Sequence, residues 1–210
     1  MSHPIHIREE LQPPTLIAAY ASGAFPMPDP DEVRRILWFS PDPRGLLPLD
    51  ERFHVSRRLA RTIRQGKFVC TVNADFAGVM SACAQRGEGT WITPEFLAAY
   101  GELHALGLAH SVEAWRVRDG RPNVEAGLAG GLYGVAVGKA FFAESMFHRV
   151  TDAGKVAVVA MVGRLRERGF LLCDTQWLTP NLARLGGFEI SQRRYLALLK
   201  KAIGQPARFE

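Results

Sequence analysis

The chain has 210 residues, 47% of them hydrophobic, with 26 Lys and Arg against 21 Asp and Glu for a formal net charge of +5. That length and apolar content suffice for a sizeable core, as one large domain or two small ones. No stretch nears the roughly 18 consecutive apolar residues that span a bilayer, and Met1 to Glu10 is polar and mixed in charge, unlike a secretory leader, so a cytoplasmic protein with no membrane partner is expected.

In chain order, Pro13-Pro14 ahead of Thr15 to Tyr20 predicts a short helix stopped at Gly23, and the prolines of Phe25 to Pro30 predict loop there. Ile36 to Phe39 and Gly45 to Leu47 read as short strands flanking the turn Ser40-Pro41-Asp42-Pro43. Ser56 caps a helix that runs to Gln65 and stops at Gly66, with Leu59 and Ile63 as its apolar seam. Lys67 to Val72 alternates as a strand. Asp75 to Arg86 follows as a helix with Phe76, Val79, Met80 and Cys83 at helical spacing. Thr93-Pro94-Glu95 combines a cap, a first-turn proline and an acid suited to the helix dipole, and Gly107 ends that helix.

Beyond it the pattern turns β-rich, with strands over Ser111 to Arg118, from near Gly131, and over Ala140 to Phe147. Helix and strand then alternate as in crossover units: Asp152 to Arg168 helical, Phe170 to Asp174 a strand, a helix opened by Thr179-Pro180, a strand over Phe188 to Ile190 and a last helix through Leu199. The whole reads as mixed α/β (α+β). An Arg-rich helical part gives way near residue 90 to a Gly-rich β part, which divides the chain into 1–90 and 91–210.

Several familiar chemistries lack their residues. The run Gly127 to Gly138 is no phosphate loop, because Tyr133 stands where the motif needs Gly and Ala140 where it needs Ser or Thr. It reads better as a strand whose glycines admit a ligand or another backbone. Cys70, Cys83 and Cys173 are odd in number, widely spaced and set among apolar residues, which disfavours a disulfide framework or zinc. The histidines form no metal string, and no nucleophile elbow occurs, so metal-free, cofactor-free and non-covalent chemistry is favoured.

Two acids lie in apolar settings. Glu144 is embedded in Phe141 to Phe147, and Asp174 ends Phe170 to Cys173, just before Gln176 at the carboxyl end of a strand, where open α/β sheets place ligands. Burying such carboxylates costs several kcal/mol unless a cation or several donors meet them, so each is either a buried salt bridge or a working group. Trp91 alone would be an ordinary core aromatic. Arg57, Arg58, Arg61 and Arg64, four guanidiniums in eight residues with no acid between them, form either a solvated face or a phosphate-binding one.

Phe25-Pro26, Trp38 to Arg44, Gly89 to Thr93, His110 to Glu113, Leu132 to Ala136, Glu144 to Phe147 and Asp174 to Gln176 occur in the order seen in leucyl/phenylalanyl-tRNA protein transferases, which the chain resembles from about residue 13 to residue 200. The resemblance implies a small N-terminal domain and a C-terminal domain similar to acyl-CoA N-acyltransferases (the GNAT fold). It implies transfer of Leu or Phe from Leu-tRNA or Phe-tRNA to proteins beginning with Arg or Lys, marking them for degradation. Asp174 and Gln176 match the catalytic pair and Glu144 an acid of the same site. Leu132, Phe141, Met146, Met161, Leu165 and Cys173 match the pocket for the donor side chain, and Trp91 an aromatic that stacks on the terminal adenosine. Arg57, Arg61 and Arg64 match residues that hold the tRNA acceptor stem.

The chain departs from the family at Met27, where well-known members carry a second stacking Trp, at Gly154 in place of Ser, and at Thr179, where Asn is often found. The donor ester is already activated, so aminolysis needs positioning more than cofactors, with Asp174 expected to accept the ammonium proton and Gln176 to hold the amine or carbonyl in line. An acetyl-CoA N-acetyltransferase would share the fold but lacks its pyrophosphate loop here, and a non-catalytic tRNA adaptor is the further alternative. A monomer is favoured over an oligomer.

Overall fold

The computed structural model describes residues 6–8, 11–32, 35–85 and 90–210. Its first half comprises β1 (His6–Arg8), α1 (Pro13–Ala21), β2 (Phe25–Pro28), β3 (Ile36–Phe39), β4 (Arg44–Leu47), α2 (Arg57–Arg64), β5 (Phe68–Val72), α3 (Phe76–Ala84) and α4 (Pro94–Ala105). The second half adds β6 (Ala109–Arg118), β7 (Arg121–Pro122), β8 (Leu128–Val137), β9 (Ala140–His148), α5 (Ala153–Glu167), β10 (Leu172–Gln176), α6 (Pro180–Ala183), β11 (Phe188–Ile190) and α7 (Gln192–Ile203). Capping chemistry sets several helix starts: Ser56 accepts from the Leu59 amide, Asp75 from Gly78 and Ser191 from Arg194.

Most strands join one mixed sheet in the order β11-β4-β10-β9-β8-β6-β5, with β7 paired to β6, and β1, β3 and β2 make a separate small sheet. Alternation along each strand feeds two apolar layers. Phe142 and Tyr133 pack on one face with residues of α1, α3, α4 and α7, whereas Phe141 and Leu132 pack on the other with residues of α2 and α5. The fold is therefore a sheet between two helical layers, consistent with the α+β class.

Three expectations change. Phe25–Pro28 is a strand, not loop: β2 lies at an edge of the small sheet, where the missing proline N–H groups cost no ladder bonds. Strand β10 starts at Leu172 and extends through Gln176. The buried seam of α2 is Leu59 and Thr62, while Ile63 is 38% exposed. With more bearing on the chemistry, β4 and β5 from the first ninety residues are built into the large sheet, β5 pairing with β6 directly. The boundary expected near residue 90 adjoins residues 86–89, and Arg86 and Gly89 fall outside the described residues.

Candidate active site

The crossover β9-α5-β10 makes β9 and β10 the one parallel pair of the described sheet, and their pairing runs only from Ala140 opposite Leu172 to Phe142 opposite Asp174. Beyond that rung the strands part. Each carries a bulge just past the split. Tyr133 pairs with Ser145 and Gly134 with Ala143, leaving Glu144 as the extra residue on β9. Asp174 pairs with Leu46 and Gln176 with Gly45, leaving Thr175 extra on β10. Bulges re-aim side chains, and these two turn Glu144 and Gln176 toward each other. A side chain at Gly134 would strike the Phe142 carbonyl, which is why the Glu144 bulge requires glycine opposite it.

Gln176 takes φ of +59°, rare for a residue with a side chain, and its neighbour Trp177 donates its N–H back to the Thr175 carbonyl at 2.6 Å in a γ-turn. From this turn the Gln176 amide donates to Glu144 Oε1 at 3.1 Å. Tyr100 donates to Glu144 Oε2 at 3.4 Å, and the Tyr20 hydroxyl pairs with that of Tyr100 behind it. All these partners are neutral. Burial pushes the Glu144 carboxyl up to about 8, the tyrosine hydrogen bonds pull against that shift, and the charge of Asp174 adds to it. Burial and the nearby carboxylate likewise raise both phenols, so they stay donors.

Asp174 has the opposite surroundings. It is 0% exposed, and both its oxygens are taken. Oδ1 accepts from Arg44 Nε at 2.9 Å and from the Gln176 backbone N–H at 2.8 Å, and Oδ2 accepts from Arg44 Nη2 at 2.7 Å and the Tyr195 hydroxyl at 2.6 Å. Arg44, also 0% exposed, donates its remaining Nη1 to the Gly23 carbonyl at 2.9 Å and lies 4.4 Å from the Tyr195 ring centre. A fully satisfied, bidentate pair of this kind holds its geometry rigidly.

A cavity of about 550 Å³ opens at the split, within the range of small-molecule sites. Of the residues singled out from the sequence, Met27, Trp91, Leu132, Glu144, Met146, Met161 and Gln176 line it. Phe141, Leu165 and Cys173 do not reach it. They are buried in the apolar cluster that also holds Leu132 and Met161, and so support that wall from behind. Asp174 does not line it either, because its carboxylate faces Arg44 and Tyr195. Thr179 lines the cavity and caps α6.

Arg57, Arg61 and Arg64 are exposed on α2 and form no ion pair among the described residues, while their neighbour Arg58 bonds Asp152 at 2.8 Å. The sequence reading gave no role to Arg44, Tyr195, Tyr20, Tyr100 or Trp177. The signal was faint: a buried tyrosine needs a partner for its hydroxyl, but spacing does not say which one. The motif His110 to Glu113 serves structure: Glu113 accepts from Thr71 at 2.6 Å and from the amides of Ala74 and Asp75, fixing the entry to α3.

Sequence comparison relates the chain to known proteins. A profile described as leucyl/phenylalanyl-tRNA protein transferase matches residues 46–200, and one described as the N-terminal domain of that transferase matches residues 9–42. A protein of Akkermansia muciniphila named leucyl/phenylalanyl-tRNA–protein transferase is 47% identical over 199 residues, 94% of this chain and 98% of its own. Proteins of the same name from Herpetosiphon aurantiacus and Cereibacter sphaeroides are each 50% identical, covering 96% and 95% of this chain and 99% and 88% of theirs.

Proposed function

The chain belongs to the leucyl/phenylalanyl-tRNA protein transferase family, and we propose that it moves Leu or Phe from the 3′ end of a charged tRNA to the N-terminus of proteins that begin with Arg or Lys. The observation that carries this reading is the hydrogen-bonded pair of Glu144 and Gln176 at the mouth of an apolar slot lined by Leu132, Met146 and Met161. Such walls accept large unbranched apolar side chains and reject polar ones. Trp91 offers a face for the terminal nucleoside, and Arg57, Arg61 and Arg64 offer charge for the acceptor stem. An acetyl-CoA reading has no observation in its favour.

In the transfer, the acceptor nitrogen attacks the ester carbonyl carbon. A C–N bond forms, the C–O bond to the ribose breaks, and the proton lost by the nitrogen ends on the departing ribose oxygen. Glu144 is the group suited to carry that proton. It faces the cavity, and a carboxyl raised to about 8 matches a protein α-amino group of about 7.7 to 8.0, so transfer between them is nearly level in free energy. In this reading Asp174, whose oxygens are bonded by Arg44 and Tyr195, is not the proton acceptor. It instead holds the Gln176 backbone in its strained turn, and Gln176 orients the amine or the ester carbonyl. Good orientation alone supplies roughly 7 to 11 kcal/mol of a barrier, far more than deprotonating the amine at neutral pH requires.

The deciding assay follows radiolabel from Phe-tRNA to an Arg-starting peptide with acetyl-CoA absent. Label appearing in the peptide is the expected result, and peptide counts no higher than the enzyme-free control would overturn the reading.

A further inference from the structure

An acceptor beginning with Arg or Lys brings two cations into the site, its α-ammonium and its side chain. Among the described residues lining the cavity, Glu144 is the one acid, and the mechanism above commits it to the α-amino group. The side-chain cation therefore has to be read by some other chemistry. The face of an aromatic ring is that chemistry, and indole is the best of the natural ones.

Trp177 follows Gln176 directly, lines the same cavity and is 40% exposed, unusual for so large an apolar side chain. Its position is nonetheless fixed. The ring meets Phe25 edge to face at 4.9 Å and 90°, and Phe39 at 6.3 Å and 62°. Its backbone is pinned by the γ-turn at Gln176 and by contact with β4, where a Cβ on Gly45 would come within 2.6 Å of the Trp177 carbonyl carbon. A rigid, partly open indole one residue from the amide that orients the amine is pre-organised for a ligand group. Trp91, the other indole of the cavity, is assigned to the donor nucleoside.

We infer that Trp177 reads the acceptor's basic first side chain, its indole face taking the guanidinium or ammonium group while Glu144 and Gln176 hold the α-amino group. This rests on the proposed transfer to Arg- and Lys-starting proteins. A planar, weakly hydrated guanidinium stacks on indole better than an ammonium does, so Arg-starting acceptors outperform Lys-starting ones.

Steady-state transfer from Phe-tRNA is measured with peptides that differ only in a first residue of Arg, Lys or citrulline, the last a neutral mimic of Arg. Trp177→Leu should raise KM for the Arg peptide about five- to tenfold and narrow the Arg-to-citrulline ratio of kcat/KM by a similar factor, with KM for Phe-tRNA changing less than about twofold. Trp177→Phe, which keeps a π face, should retain most of that ratio. If Trp177→Leu melts below the assay temperature, Trp177→Gln takes its place with the same expected outcome. An unchanged Arg-to-citrulline ratio overturns the inference while wild-type transfer leaves the proposed function standing. A rise confined to KM for Phe-tRNA also overturns it, making Trp177 a platform for a nucleobase. Absence of wild-type transfer to any of the peptides overturns both.

Discussion

Two carboxylates flank the split between β9 and β10, and their surroundings could hardly differ more. Asp174 is sealed in and met by a bidentate guanidinium, a phenol and a backbone amide, whereas Glu144 faces a cavity and is met only by phenols and an amide side chain. A buried acid given a bidentate cation is fixed in place and becomes a structural pin. A half-buried acid given only neutral donors is pushed up, here to about 8, and can change protonation as a substrate arrives. The same split thus has a fixed side and a responsive side, joined through Gln176, whose backbone is bound to the first acid and whose side chain is bound to the second.

The strongest way to break this contrast is on the sealed side. Arg44→Met leaves the Asp174 charge buried without its cation, which should cost about 3–5 kcal/mol of stability and abolish transfer. In thermal unfolding that corresponds to a drop of roughly 6–20 °C. Replacing both partners, Arg44→Met with Asp174→Leu, should restore most of the stability and none of the activity. Asp174→Asn should lower transfer by at least about 10²-fold and also lower the melting temperature, because it loosens the pin that orients Gln176. Loss of turnover at wild-type stability would instead make Asp174 a proton carrier.

On the responsive side, Glu144→Gln should preserve tRNA binding and reduce kcat by about 10²-fold or more. The variant also tests the protonation claim through stability. A carboxyl raised to about 8 in the fold, against about 4.3 when unfolded, binds its proton more tightly in the folded state. Its contribution is full below the unfolded value and is lost as pH rises through 8. The wild-type melting temperature should therefore fall between pH 5 and pH 8.5 more steeply than that of Glu144→Gln, and parallel curves would return Glu144 to an ordinary carboxylate.

Smaller effects lie farther out. Neutralising Arg57, Arg61 and Arg64 together should raise KM for charged tRNA and flatten its log–log salt dependence by about 2 to 3, with no effect on kcat. A slope equal to that of the wild type would remove α2 from the tRNA site. Tyr100→Phe deletes one of the donors that hold the Glu144 carboxyl down, so its protonation should move to higher pH and transfer at pH 7 should fall about fivefold. Activity–pH profiles of the two proteins read this directly.

Much of this was legible in the chain. The cap at Ser56, the first-turn Pro94 and the stops at Gly66 and Gly107 announced their helices, because helix ends are decided by the nearest side chains and backbone groups. Alternation announced the strands. The unusual cost of acids at 144 and 174 marked the candidate site, and ordered motifs named the family. What failed locally failed for a tertiary reason: β2 is a strand despite two prolines because it lies at an edge, and Ile63 is exposed because the surface under α2 accommodates Thr62 instead.

Which acid is pinned and which is responsive was decided only by the fold. Both stand in apolar sequence, and no spacing says that an arginine 130 residues away will reach one of them, or that tyrosines from α1 and α4 will reach the other. Protonation depends on the charges and donors that surround a group in space, and a chain fixes those only after β4 has been laid against β10 and the two helices have closed over β9.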